Sequence, residues 1–207
     1  MSARLDDQLG KVRDLTRKYQ DGGRPAFRAF EELASLLLHL TVLDATGIVR
    51  LTYGTSRDRA ALGGSGGPTD PLPLNDGRFL RVSVSLYLTE RNRLAVSTSS
   101  YQYQVDRDGD RWIFRYDYLR EPGPQPHPSA HFQVRGTLSE SDVLGADQPL
   151  DRVHFPTGRI ALEGVIRCLA EQFHVQCNQP PEVWRPLLAE SEQAFLDVAH
   201  RPLSGPG

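Results

Sequence analysis

Between Ser97 and Arg135 the chain reads STSSYQYQVDRDGDRWIFRYDYLREPGPQPHPSAHFQVR, and the alternation inside this run leaves it little conformational freedom. Tyr101, Tyr103 and Val105 alternate before Asp108-Gly109, and Trp112, Phe114, Tyr116 and Tyr118 alternate after it. A period of two sends successive side chains to opposite faces of a strand. With Asp108 and Gly109 at the centre of a type I′ turn, Val105 faces Trp112, Tyr103 faces Phe114 and Tyr101 faces Tyr116, so every large apolar group falls on one face. Gln102, Gln104, Arg115 and Asp117 then share the other. A slip of one residue would send half of the aromatics to the wrong side.

The same periodicity extends outward in both directions. Leu80, Val82, Val84, Leu86 and Leu88 alternate with Arg81, Ser83 and Ser85, and Asn92 fits the left-handed position of a short hairpin loop after them. Leu94 and Val96 are apolar on even numbers whereas Tyr101 and Tyr103 are apolar on odd ones, a parity switch that calls for a β-bulge within Thr98 to Ser100. The expected strands are 46–55, 78–89, 93–105, 111–119 and 131–136. Helical spacing marks 4–20 (Leu5, Leu9, Val12, Leu15, Tyr19), 25–40 (Phe27, Phe30, Leu33, Leu37), a third helix from Ile160 to Phe173, and a last one opened by Pro180 and Pro181. Pro186 is expected to break or reset the first turn of that last helix.

The expected fold class is therefore α+β: an antiparallel five-strand meander with the amino- and carboxy-terminal helices packed on one face. The chain reads as one domain over 1–207, with a helical hairpin at 1–43, the sheet at 44–136 and a helical end at 152–200. Trp112, Phe114, Tyr103 and Val84 are the expected core, with Val165, Leu169 and Phe173 as helical partners. The run TSRDRAALGGSGGPTDPLPLNDG, rich in Gly, Pro, Asp and Ser, reads as a mobile excursion, and its GGSGG resembles a linker. It lacks the Lys-Ser/Thr ending and the strand-to-helix setting of a phosphate loop.

Composition narrows the function classes. With 207 residues, 39% apolar and 24% charged, the chain is that of a globular protein. A net charge of −2 supplies no global attraction to nucleic acid, so such a contact would need a local basic site. The two cysteines, Cys168 and Cys177, make neither a disulfide framework nor a metal-site spacing. The amino terminus has no apolar signal core and no apolar run reaches membrane-span length, so a cytoplasmic setting is expected. No cofactor is called for.

The residues able to do chemistry gather in the opening stretch: Arg115, Asp117, His127 and His131. His127, His131 and His154 also invite a zinc reading. The His-x3-His spacing spans a Pro-rich loop rather than a helix, and no carboxylate or cysteine completes the set, so no metal site is assigned. A metal-free acid/base site is the alternative, in which a histidine moves a proton and Arg115 stabilises charge on a phosphoryl group. The plainer reading is a surface pair between Arg115 and Asp117.

The run from Asp76 to His131, with DGRFLRVSVSLYL, SYQYQVDRDGDRWIFRYDY and a Pro-rich loop ending HPSAH, resembles the TumE-like family of small toxin-antitoxin proteins. That family has a Tyr-x-Tyr strand, an RYDN motif and a histidine-rich loop. Arg115, Tyr116 and Asp117 match the RYD, His127 and His131 match the histidine loop, and Tyr118 stands where the family has asparagine. The resemblance implies a toxin-like protein with an antitoxin partner and RNA as a target. A homo-oligomer is a separate expectation for the chain. The competing expectation is a non-catalytic protein-interaction module that docks through residues 55–77.

Overall fold

In a computed structural model of the chain, residues 2–55, 58–121, 128–135 and 155–199 are described. Helix α1 (Ser2–Asp21) buries Val12, Leu15 and Tyr19 on one stripe. It stops at Gly22 and Gly23, both in the left-handed region (φ 86° and 71°). A Cβ on Gly22 would strike the Asn92 carbonyl, and the Gly23 amide donates to that same carbonyl at 2.7 Å, so the turn is stitched to the sheet where only glycine fits. Helix α2 (Arg24–Leu40) starts with proline in its first turn and buries Phe27, Leu33, Leu37 and Leu38. Helices α3 (Leu162–Glu171) and α4 (Pro181–Ala199) close the chain. Pro186 neither breaks nor resets α4. It lies within the helix, and the acceptor it leaves unserved is the carbonyl of Glu182, one turn back at an exposed residue, where water can replace the lost bond.

The sheet has eight strands rather than five: β1 (Arg50–Tyr53), β2 (Arg59–Gly63), β3 (Leu72–Pro73), β4 (Phe79–Leu88), β5 (Leu94–Gln104), β6 (Trp112–Leu119), β7 (Ala130–Val134) and β8 (Phe155–Pro156). Their order is β1-β2-β4-β5-β6-β7-β8, antiparallel at every pairing, with β3 alongside the start of β4. The expected strands are all present. The additions are β2, which separates β1 from β4, and the two-residue strands β3 and β8.

The stretch read as a mobile excursion is thus part of the sheet. Leu62, Leu72 and Leu74 are buried, and the glycine run is a tight turn. The Gly67 amide donates to the Gly64 carbonyl at 3.1 Å, while the Asp70 carboxylate accepts from the Gly66 amide at 2.8 Å and the Ser65 hydroxyl at 3.2 Å. A Cβ on Gly63 would meet the Gly67 carbonyl and come within 2.5 Å of the Pro68 Cα. Gly63 and Gly64 are required by close backbone approach and Gly67 by its φ of 113°, not by a linker's need for freedom.

Two bulges set the faces. Ser97 has no partner between Ser85↔Thr98 and Leu86↔Val96, which is the expected parity switch, one residue before the expected span. Ile113 has none between Tyr103↔Phe114 and Gln104↔Trp112. The second bulge overturns the Val105–Trp112 pairing and takes Trp112 out of the expected core: its ring lies on the polar face, 5.8 Å from the Arg115 guanidinium carbon. The Asp108-Gly109 turn also differs. Val105 N–H donates to Arg111 C=O, and the intervening loop is pinned by Asp106, whose carboxylate accepts from the amides of Gly109 and Arg111 at 2.9 and 3.3 Å. The short loop with Asn92 left-handed (φ 60°) is as expected.

All four helices lie on one face of the sheet, against Leu80, Val82, Val84, Tyr101, Tyr103 and Phe114. The ring of Phe114 touches those of Tyr103, Tyr116, Phe132 and Phe173 at centroid distances of 5.3–5.9 Å. Val84, Val165 and Leu169 are buried as expected, and Phe173 packs against them while partly exposed. No helix among the described residues is long and apolar enough to cross a membrane.

Candidate functional site

The face opposite the helices carries the residues expected there, in register: Ser83↔Ser100↔Asp117↔His131 in one row and Arg81↔Gln102↔Arg115↔Gln133 in the next. Arg115 and Asp117 are two apart on β6, hence on one face, and β7 supplies His131 and Gln133 beside them. The Arg115 Nε donates to Asp117 Oδ2 at 2.7 Å, and its Nη2 donates to the side-chain Oε1 of Gln133 at 2.5 Å. His131 Nε2 lies 3.5 Å from the same Asp117 Oδ2. Guanidinium and imidazole are therefore one carboxylate oxygen apart.

The histidine is oriented from behind. Its Nδ1 is 3.1 Å from the Pro128 carbonyl, which can only accept, so Nδ1 carries a hydrogen and donates it. Nε2 is then the nitrogen placed to take or give a proton beside Asp117. The three side chains retain 36%, 24% and 12% of their exposure for Arg115, Asp117 and His131. The arginine edge is the most open, which suits contact with an anion, and Trp112 flanks it. Of the four expected site residues, Arg115, Asp117 and His131 come together. His127 lies outside the described residues, as does His154.

Beside the site, the loop after β5 folds back over the sheet. Gln104 donates to the carbonyls of Asp106 and Arg107 at 2.8 and 3.0 Å, Arg81 reaches the Asp108 carbonyl at 3.3 Å, and Arg107 pairs with Asp70 at 2.6 Å. This loop buries Gln102 and Gln104 and fixes one border of the polar face.

A second polar group lies back to back with the first, on the helix side of β5 and β6, and sequence reasoning missed it. Glu163, in the first turn of α3, is 6% exposed, and its carboxylate accepts a short hydrogen bond from the Ser191 hydroxyl of α4. Burial pushes its pKa up from the ordinary carboxylate value. The Tyr101 hydroxyl faces the same space, and burial raises its pKa too. Arg159, just before α3, packs its guanidinium carbon against the Tyr118 and Phe195 rings, 4.4 and 4.7 Å from their centroids. Its Nε is buried without a hydrogen-bond partner, and desolvation lowers its pKa. The available sequence signal was the Arg159/Glu163 spacing of four residues at the border of the Leu162, Val165, Ile166, Leu169 stripe, where a lone carboxylate reads as solvated.

Comparison with known proteins adds no assignment: no family model matches the chain, and no curated protein or solved structure matches it.

Proposed function

We propose that the protein is a toxin-like component of a toxin-antitoxin or defence module that acts on RNA through Arg115, Asp117 and His131. One observation carries this reading: an arginine and a histidine from adjacent strands converge on a single oxygen of Asp117, on the sheet face the helices leave bare. In this reading the outer edge of Arg115 holds a phosphate, His131 Nε2 transfers the proton of the attacking or leaving hydroxyl, and Asp117 orients both and stabilises the protonated ring. A protein antitoxin would act by covering this face.

A second reading, a non-catalytic interaction module, is favoured by the saturation of the cluster. Both Nε and Nη2 of Arg115 are used within the sheet, so the network also serves to stiffen a binding surface. Induced expression in a bacterial host separates the two. The proposal expects growth arrest with the natural chain and its relief by His131→Gln or Asp117→Asn at equal protein level. Arrest that persists in both variants would discard the catalytic reading.

A further inference from the structure

The helix-free face of the sheet is roofed at one end and open at the other. At the roofed end the loop after β5 lies on the strands: a Cβ on Gly109 would come within 2.7 Å of the Arg81 guanidinium and 3.2 Å of the Gln102 and Gln104 amides. The glycine turn covers Gly63 in the same way, and an Arg107 to Asp70 ion pair at 2.6 Å ties the two loops together. At the open end lies a groove of about 740 Å³. Its floor is the row Thr52↔Ala61↔Ser85, and Arg59, Tyr87 and Arg120 border it. That volume is on the scale of ordinary ligand sites, roughly 300–1,000 Å³. The Arg115 cluster stands between the two ends. Leu119, which lines the groove, is two residues past Asp117 on β6, about 7 Å along the strand.

Charge and exposure select the ligand. Among the described residues, the strand positions on this face carry Arg50, Arg59, Arg81 and Arg115 against Asp117 alone, in a chain whose net charge is −2. The face is thus the local basic site that the overall charge does not show. Along the groove itself two arginines meet one carboxylate, Glu121. Arg59 is exposed, stands directly across the β2/β4 pairing from Tyr87, and enters no hydrogen bond or ion pair among the described residues. Arg120 lies on the far side, just past β6, with its Nη1 donating to the Val96 carbonyl at 3.3 Å. Strands β2 and β6 are three spacings apart, about 14 Å, so the two guanidinium groups reach separate phosphates of one chain. Between them the Tyr87 ring offers a face to a base, and stacking there needs that base unpaired. We propose that this groove holds the single-stranded RNA segment next to the reacting phosphate, with backbone phosphates on Arg59 and Arg120 and a base on Tyr87. The strand enters from the open end, and the roof over Arg81 and Gln102 stops it at the Arg115 cluster. The choice of ligand rests on the RNA reading of that cluster.

The test separates holding the strand from cleaving it. A fluorescein-labelled octamer of 2′-O-methyl uridine, which lacks the attacking 2′-hydroxyl, is titrated with the full chain by fluorescence anisotropy at several salt concentrations. The natural chain should bind it, and Arg59→Gln should weaken binding and flatten the logarithmic salt slope by about 0.7, the share of one phosphate contact on a single strand. Tyr87→Ala should weaken binding at least about fivefold, whereas Tyr87→Phe, which keeps the ring, should not. If Tyr87→Ala does not fold, Tyr87→Leu fills the same space without a π-face and carries the stacking test. The proposal is overturned if the natural chain does not bind the octamer, if Arg59→Gln and the Tyr87 variants bind it unchanged, or if a duplex of the octamer or poly-glutamate binds as well. Binding without cleavage of unmodified RNA would end the catalytic reading and leave the groove standing. Cleavage whose KM is unmoved by Arg59→Gln and Tyr87→Ala would overturn the groove and leave the catalytic reading.

Discussion

Replacing Phe114 and Trp112 by alanine, one at a time, tests the bulge at Ile113 and with it the assignment of faces. Simple alternation gives the two residues equal standing in the core; the bulge separates them. Phe114 is 1% exposed and touches four aromatic rings. A buried Phe→Ala change costs about 3–5 kcal/mol, and ring pairs add about 0.5–1.5 kcal/mol each beyond burial, which puts Phe114→Ala in the upper half of that range. Against a total stability of about 5–15 kcal/mol this is a large fraction. Trp112 is half-buried on the polar face and meets the Arg115 guanidinium at 5.8 Å, a contact worth about 0.5–1 kcal/mol at such a site. Trp112→Ala should therefore cost about 1–2 kcal/mol with its partial burial included. Urea unfolding measures both: with a slope of about 2.5 kcal/mol per molar, Phe114→Ala should lower the midpoint by about 1.5–2 M and Trp112→Ala by about 0.4–0.8 M. Because Trp184 is the other tryptophan and is buried, a Trp184→Phe background isolates Trp112 emission. That emission should be red-shifted and quenchable by acrylamide. Equal losses of stability, with blue, unquenched Trp112 emission, would refute the bulge.

Three further outcomes follow from particular contacts. The Glu163 carboxyl has a folded pKa raised above its ordinary value of 4.5, so the folded state holds its proton longer than the unfolded one and stability falls as pH rises from about 4.5 toward the folded pKa. Glu163→Gln should remove that slope and leave the variant more stable than the natural chain at neutral pH, as read by urea midpoints at a series of pH values. Gly63→Ala should cost about 1–3 kcal/mol or more, because the added methyl meets backbone rather than a movable side chain, and thermal unfolding would show it. Asp70 behaves oppositely to Glu163: the Gly66 amide, then Ser65 and Arg107, lower its pKa, so the stability it contributes is present above the ordinary carboxylate value and lost as pH falls through the folded one. Asp70→Asn should flatten that acid limb in the same series.

The α+β class, the strands from β4 to β7 and the polar face of Arg115 and Asp117 were legible because alternation over long runs admits one register with the aromatics on one side. The rest was hidden for identifiable reasons. Strand β2 reads RAALG, and alanine and glycine carry little strand preference of their own; its neighbours β1 and β4 make it a strand. The bulge at Ile113 left no trace because Trp112, Ile113 and Phe114 are all apolar, so nothing in their order says which one is skipped. The glycine turn at 63–67 looked like a linker because composition does not reveal that Asp70 is folded back onto it. Glu163 was passed over because its burial depends on Ser191, twenty-eight residues further on in α4.

The central claim, that Arg115, Asp117 and His131 form a reacting site for RNA, is tested most directly by the rate at which the purified protein cleaves a labelled single-stranded RNA, compared with His131→Gln. General acid–base catalysis by a positioned histidine contributes about 10²–10⁴-fold. The natural chain should cleave, and His131→Gln, folded by circular dichroism, should lose at least a hundredfold in rate. No cleavage by the natural chain, or the same rate in the variant, would contradict the claim and leave the cluster as a structural ion pair.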